Sequence, residues 1–170
     1  MANTYTLIAS VTVGSGGAAT MSFTSIPSTY TDLVLKISPR GNRAAGVWNG
    51  MTMTVNGSSS TFSSRFIEGG DSTVVSGTGS SSSILMNSVG VLYSSTFASN
   101  EVYIPNYAGS TNKCFSIDSV SEGNQAGGVY QDFIAGLWST TSAITSITLT
   151  STSFDFVQYS TATLYGIKNS

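Results

Sequence analysis

Thr4-Tyr5-Thr6-Leu7-Ile8-Ala9-Ser10-Val11-Thr12-Val13 is the stretch that decides the fold class. Tyr5, Leu7, Ala9, Val11 and Val13 fall on one side of an extended chain, and Thr6, Ile8, Ser10 and Thr12 fall on the other. This is the two-residue period of a strand whose faces meet different surroundings. Gly14-Ser15-Gly16-Gly17 follows as a turn, and Ala19, Met21 and Phe23 resume the period, which predicts a hairpin.

The same period recurs outward from that stretch. Leu33, Leu35 and Ile37 alternate with Val34, Lys36 and Ser38 until Pro39 stops the run. Met51, Met53 and Val55 lead into Asn56-Gly57, a dipeptide suited to a turn with positive φ, and Phe62, Ser64 and Phe66 continue beyond it, so a second hairpin is expected. Residues 84–93 read as a strand with a bulge at Gly90. Residues 101–104 end at Pro105, and Phe115 and Ile117 alternate with Ser116 and Asp118. Over 129–138, Val129, Gln131, Phe133, Ala135 and Leu137 oppose Tyr130, Asp132, Ile134, Gly136 and Trp138. Ile147 with Leu149, Phe154 with Phe156, and Tyr165 with Ile167 complete the pattern.

No stretch sustains an i, i+3, i+4 apolar pattern, so little or no helix is expected. Roughly ten short strands in one layer would leave a face bare, and two layers packed face to face remove that problem. The expected architecture is all-β: an antiparallel two-sheet β-sandwich of the jelly-roll type, with an up-and-down barrel as the alternative. One domain over residues 1–170 is expected, with long loops near 40–50 and at 69–83. Of the aromatics, Trp138 and Phe133 are assigned to the core.

Composition removes several classes of function. Ser and Thr number 32 and 22, whereas six residues are basic, eight are acidic and none is His. Without His, Ser-His-Asp and Cys-His sites are impossible. Lys36, Lys113, Lys168, Arg40, Arg43 and Arg65 are scattered, which gives no stripe for phosphates, so no nucleic acid is expected as a partner. A lone Cys114 rules out an intrachain disulfide and a Cys-based zinc site. No run approaches the 18 or so apolar residues of a membrane span, and residues 1–5 lack the basic head and apolar stretch of a secretory signal.

The remaining chemical candidates are weak. Ser110 and Lys113 fit a Ser-x-x-Lys spacing without its companion motifs, and the expected role is an exposed turn. Asp118, Glu122, Asp132 and Asp155 lie in or near strands, so two could meet as paired carboxylates. Glu68 and Asp71 could offer oxygens to calcium, yet no Asp-x-Asp-x-Asp run exists. Gly14-Ser15-Gly16-Gly17 and Gly77-Thr78-Gly79 lack the Lys-Ser/Thr of a phosphate loop and read as turns. Asn56-Gly57-Ser58 matches a glycosylation sequon, but the turn reading is preferred. No enzymatic activity, cofactor or metal is expected.

Contact surfaces are the stronger expectation. Ordinary domains carry about a quarter charged residues. Here Ser, Thr, Asn and Gly take their place, which suits close contact with identical copies or a large particle. The candidate contact residues are Trp48, in a Gly/Asn-rich stretch, with Tyr103 and Tyr107. Val34, Ile8 and Val102 are expected on the second face of edge strands, to be covered in a homo-oligomer.

Thr4-Tyr5-Thr6-Leu7-Ile8-Ala9 and Phe23-Thr24-Ser25-Ile26-Pro27-Ser28-Thr29-Tyr30-Thr31-Asp32-Leu33-Val34-Leu35 resemble the opening of small virion structural proteins of marine tailed bacteriophages, those infecting cyanobacteria and other ocean bacteria. Glu101-Val102-Tyr103-Ile104-Pro105-Asn106-Tyr107-Ala108-Gly109-Ser110 and Gln158-Tyr159-Ser160-Thr161-Ala162-Thr163-Leu164-Tyr165-Gly166-Ile167-Lys168 are similar again, while residues 40–83 are least alike. The resemblance implies a virion component made in the bacterial host cytoplasm. Its expected role is a capsid decoration or cement protein, a trimer, that binds the major capsid protein and stabilises the shell. The alternative is a tail-fibre or receptor-binding module for a host surface glycan. No site residue is carried over from the resemblance.

Overall fold

The computed structural model describes residues 5–42, 48–70, 72–80, 83–89, 96–122, 130–152 and 155–168. Twelve strands follow in chain order: β1 (Tyr5–Thr12), β2 (Thr20–Phe23), β3 (Asp32–Ser38), β4 (Trp48–Val55), β5 (Phe62–Gly70), β6 (Thr73–Thr78), β7 (Ile84–Val89), β8 (Ser99–Ile104), β9 (Lys113–Ser121), β10 (Tyr130–Trp138), β11 (Ile147–Ser151) and β12 (Thr161–Ile167). No helix occurs among the described residues. The strands form two antiparallel sheets, one ordered β1-β12-β3-β8-β9-β10-β5-β6 and the other β2-β11-β4-β7.

Four pairings nest inside one another: β1 with β12, β2 with β11, β3 with β8, and β4 with β7. Alternate members of the nest fall in opposite sheets, and β12–β3 and β11–β4 pairings knit each layer together. Two hairpins are inserted into this scheme, β5–β6 between β4 and β7 and β9–β10 between β8 and β11. Both extend the large sheet beyond β8 as a four-stranded wing.

The core lies between the layers because most strands bury one alternate set. The small sheet contributes Met21, Met51, Met53 and Met86 with Phe23, Val55, Ile84, Ile147 and Leu149. Unbranched thioether chains fill the irregular space between two twisted sheets. Facing them are Leu33, Leu35, Ile37, Val102, Ile104, Ile117 and Leu164 from the large sheet. On β10 the buried set includes Ile134 and Trp138, and the Trp138 indole stacks on the Phe62 ring at 6.4 Å.

Both expected hairpins are corrected. Gly14 to Gly17 and Asn56-Gly57 do turn the chain, with Gly17 at φ 72°, Asn56 at 51° and Gly57 at 66°. Yet β1 and β2, like β4 and β5, belong to different sheets. Each turn carries the chain from one layer to the other, because the long-range partners β12, β11 and β10 capture the strands. The expected loop at 69–83 is corrected as well: β5 runs to Gly70 and 73–78 form β6. Gly77, read as part of a turn, lies within β6, where the Phe66 ring occupies the space a Cβ would need. Of the loop expected near 40–50, residues 43–47 lie outside the described residues, and Trp48–Gly50 already belong to β4. Gly90 and its expected bulge, Val129 and Phe154 also lie outside them.

Candidate docking face and inter-sheet cavity

A four-stranded layer covers one side of an eight-stranded one, and among the described residues no element packs on the large sheet's other side. The side chains on that outer face therefore decide what the molecule can contact. On the wing, Phe133 of β10 stands directly opposite Ile67 of β5, and Gly69 of β5 opposite Val74 of β6. Phe133 and Ile67 are each 55% exposed and Val74 is 76% exposed, and the three share a surface hollow with Gln131. Singly exposed apolar residues are ordinary, whereas a contiguous group is a contact signal.

Phe133 was expected in the core beside Trp138. They are five residues apart on one strand, so the pleat turns them to opposite faces and only one can point inward. The structure buries Trp138 and leaves Phe133 outside.

A second outer group lies toward β1. Tyr5 meets Tyr165 edge to face at 6.1 Å, and Leu7 pairs with Tyr165. Val34 lies in register between Tyr165 and Tyr103. Tyr103 is partly exposed, and its hydroxyl donates to Asp32 Oδ2 at 2.9 Å while Asp32 Oδ1 accepts from the Asn106 amide at 2.9 Å. The accepting carboxylate favours the protonated phenol and raises the Tyr103 pKa, with burial adding to it. Between the two groups, the Lys36 ammonium pairs with the Glu101 carboxylate, and Asp118 sits opposite Glu101.

The other expected contact residues fare differently. Tyr107 is fully buried, and its hydroxyl donates to the Pro27 carbonyl, so it is a core residue with one satisfied polar atom. Burial raises its pKa. Trp48 opens β4 opposite Val89, and its side chain lies outside the described residues. Val34 and Val102 are buried, and they sit on β3 and β8 in the interior of the large sheet. Their assignment to edge strands is thus corrected; Ile8 does lie on the edge strand β1 and is half-buried.

The wing's inner face forms the second feature. Asp132 on β10 stands directly opposite Glu68 on β5, and both line a cavity of about 290 Å³ between the sheets with Ser64, Phe66, Ile134 and Thr52. Asp132 is 5% exposed. Removal from water and the neighbouring Glu68 carboxylate raise its pKa from 3.8 to about 7. The expected carboxylate pairing is thereby redrawn. Asp118 faces outward and Glu122 and Asp155 are exposed, while Asp132 finds Glu68, a residue first considered for calcium. Asp71 lies outside the described residues. The signal in the sequence was parity: Glu68 shares the face of Phe62, Ser64 and Phe66, the inward set of its strand. Chemically the pair can hold a proton near neutral pH and accept hydrogen bonds from hydroxyl groups.

Lys113 cannot activate Ser110. Its ammonium is fully buried and donates to the Gly109 carbonyl at 2.7 Å and to the Thr111 carbonyl, so it ties its own loop together. Burial lowers its pKa. The Asn56 amide is likewise engaged internally. Its Oδ1 accepts from the Thr145 and Ser146 amides at 2.8 and 3.1 Å, and its Nδ2 donates to the Ala143 carbonyl at 2.8 Å. Among the described residues, no three His, Cys, Asp or Glu side chains gather where they could hold a metal, and no helix is long and apolar enough to cross a membrane. No family model matches this chain, and no curated protein matches it.

Proposed function

We propose that the chain is a structural docking protein of a phage particle, a capsid decoration protein that attaches through the outer face of its large sheet and stabilises the shell by added contact area. The observation that carries this reading is the wing. The four strands added to the nested eight bear Phe133, Ile67 and Val74 on a face that no described element covers. Low charge around that patch keeps the desolvation cost of contact small. The nested order supports reading the sandwich as a jelly roll with two inserted hairpins, an architecture recurrent in viral capsid and lectin domains. That link is an analogy of fold. The resemblance to marine phage virion proteins points the same way, and the major capsid protein is the partner it implies.

The test is the number of copies per particle together with retention of an outer-face variant. Hundreds of copies, lost when Phe133→Ser and Ile67→Ser are combined, support decoration. A handful of copies, or full retention of the double variant, removes it.

A second reading, a tail module that recognises a host glycan, draws on the inter-sheet cavity, where two carboxyls, several hydroxyls and the Phe66 ring converge. Its test is binding of the pure protein to host surface polysaccharide. Binding lost in Asp132→Asn with virion attachment intact would favour it, and cleavage of the polysaccharide would reopen an enzymatic role.

A further inference from the structure

The two edges of the large sheet are built differently. At one edge, the register of β1 against β12 shifts between Leu7 and Ala9. Such a bulge breaks the regular row of amides and carbonyls and blunts an edge against further pairing. At the other edge, β6 reads Thr73-Val74-Val75-Ser76-Gly77-Thr78, with no charge, no proline and no register shift against β5. Among the described residues β6 pairs with β5 alone, so its far side presents an unpaired backbone row. Val74 and Val75 point to opposite faces and are 76% and 47% exposed, so neither face of the strand is covered.

We propose that β6 pairs with β6 of a second copy of this chain, antiparallel about a two-fold axis, joining two large sheets into one. The inference extends the reading of the wing as a contact element and names its partner. Charge selects the occupant. A strand laid against its own copy sets like residues near like, which repels if they are charged. β6 has no charged residue, so self-pairing carries no such cost, and it offers nothing for a charged partner strand to recognise. The pleat restricts the axis further: opposed residues in an antiparallel pair share a face, so the axis passes through a residue. Val75 or Ser76 at the centre keeps 73–77 or 74–78 paired. On the outer face this places the hollow of Ile67, Val74 and Phe133 beside its equivalent in the second copy, extending one apolar belt across the contact. A two-fold contact builds even-numbered assemblies, whereas a trimer made by pairing the edges of this sheet would need head-to-tail joining of β6 to β1, which the β1 bulge opposes.

Sedimentation and native mass spectrometry of the purified full chain test this. The expected species has twice the 17.6 kDa chain mass. Val75→Lys, which sets ammonium groups across the axis, and Ser76→Pro should each yield monomer with an unchanged β circular dichroism spectrum. In a Cys114→Ser background, Val75→Cys or Ser76→Cys should form a disulfide-linked dimer on mild oxidation. Should either edge variant unfold, hydrogen exchange on the unmutated protein decides, with β6 amides expected to be as protected as those of β9. A monomer, a trimer, a dimer that survives both edge variants, or freely exchanging β6 amides would overturn the inference. Dimers that fail to attach to particles would sink the docking reading and leave this one standing; monomers that attach would do the reverse.

Discussion

Asp132 and Glu68 face each other across adjacent strands on the inner side of the wing, two carboxyls in direct register, and none of the described residues lining their cavity is basic. Their repulsion and the shortage of water are both relieved by a proton, which is why Asp132 holds one up to about pH 7.

This makes stability depend on pH in a defined direction. The folded pKa of Asp132 lies above its unfolded value, so the native state binds the extra proton between about pH 4 and about pH 7. The stabilising contribution is fully present below that window and is lost as pH rises through it. The wild type should lose on the order of 2–4 kcal/mol across it. Asp132→Asn should flatten the dependence and be the more stable protein at about pH 8. Glu68→Gln should shift the transition to lower pH. Denaturant midpoints measured across the range check all three; a wild-type and Asp132→Asn pair with parallel pH profiles would refute the assignment.

Trp138 and Phe133 offer a contrast on one strand. Truncating buried Trp138 to Ala removes the ring that stacks on Phe62 and should cost about 3–5 kcal/mol. Phe133→Ser, on the outer face, should change stability by no more than about 0.5 kcal/mol. Chemical denaturation separates them, and equal losses would contradict the facing of β10.

Tyr107→Phe removes one hydroxyl from a closed site and leaves the Pro27 carbonyl without that donor. The expected loss is about 1 kcal/mol in denaturant unfolding, with attachment to particles unchanged. A Tyr107→Phe protein of full stability that fails to attach would return Tyr107 to the contact surface.

Asn56 combines a positive φ with a clamp on the segment leading into β11. Asn56→Ala loses the hydrogen bonds and pays the left-handed backbone cost, together about 2–3 kcal/mol. Asn56→Gly keeps the backbone easy and should lose less. Thermal unfolding that ranks Ala above Gly would mean the turn geometry is not what Asn56 supplies.

Much of the fold follows from local pattern. The two-residue period marks β1, β2, β3, β4, β5, β9, β10, β11 and β12, because alternation arises within one strand from the pleat alone. β6 is not marked by that period because Thr, Ser and Gly dilute two adjacent valines, and the strand is defined only by its pairing with β5. Of the residues expected at a contact surface, Tyr103 lies on the outer face, whereas Tyr107 follows β8 into the core.

The sequence by itself determined an all-β chain, the sets of residues that share a face, the turn at Asn56-Gly57, and the absence of imidazole chemistry. Those properties reside in neighbouring residues and in composition, so no distant contact can change them. Tertiary structure alone decided which set turns inward, as with Trp138 over Phe133, and which strands nest, as β1 does with β12. It also decided that Asp132 meets Glu68. Both faces of β10 carry aromatic and aliphatic groups, so the pattern has two solutions of nearly equal local energy. The choice between them falls to the layer that packs on one side.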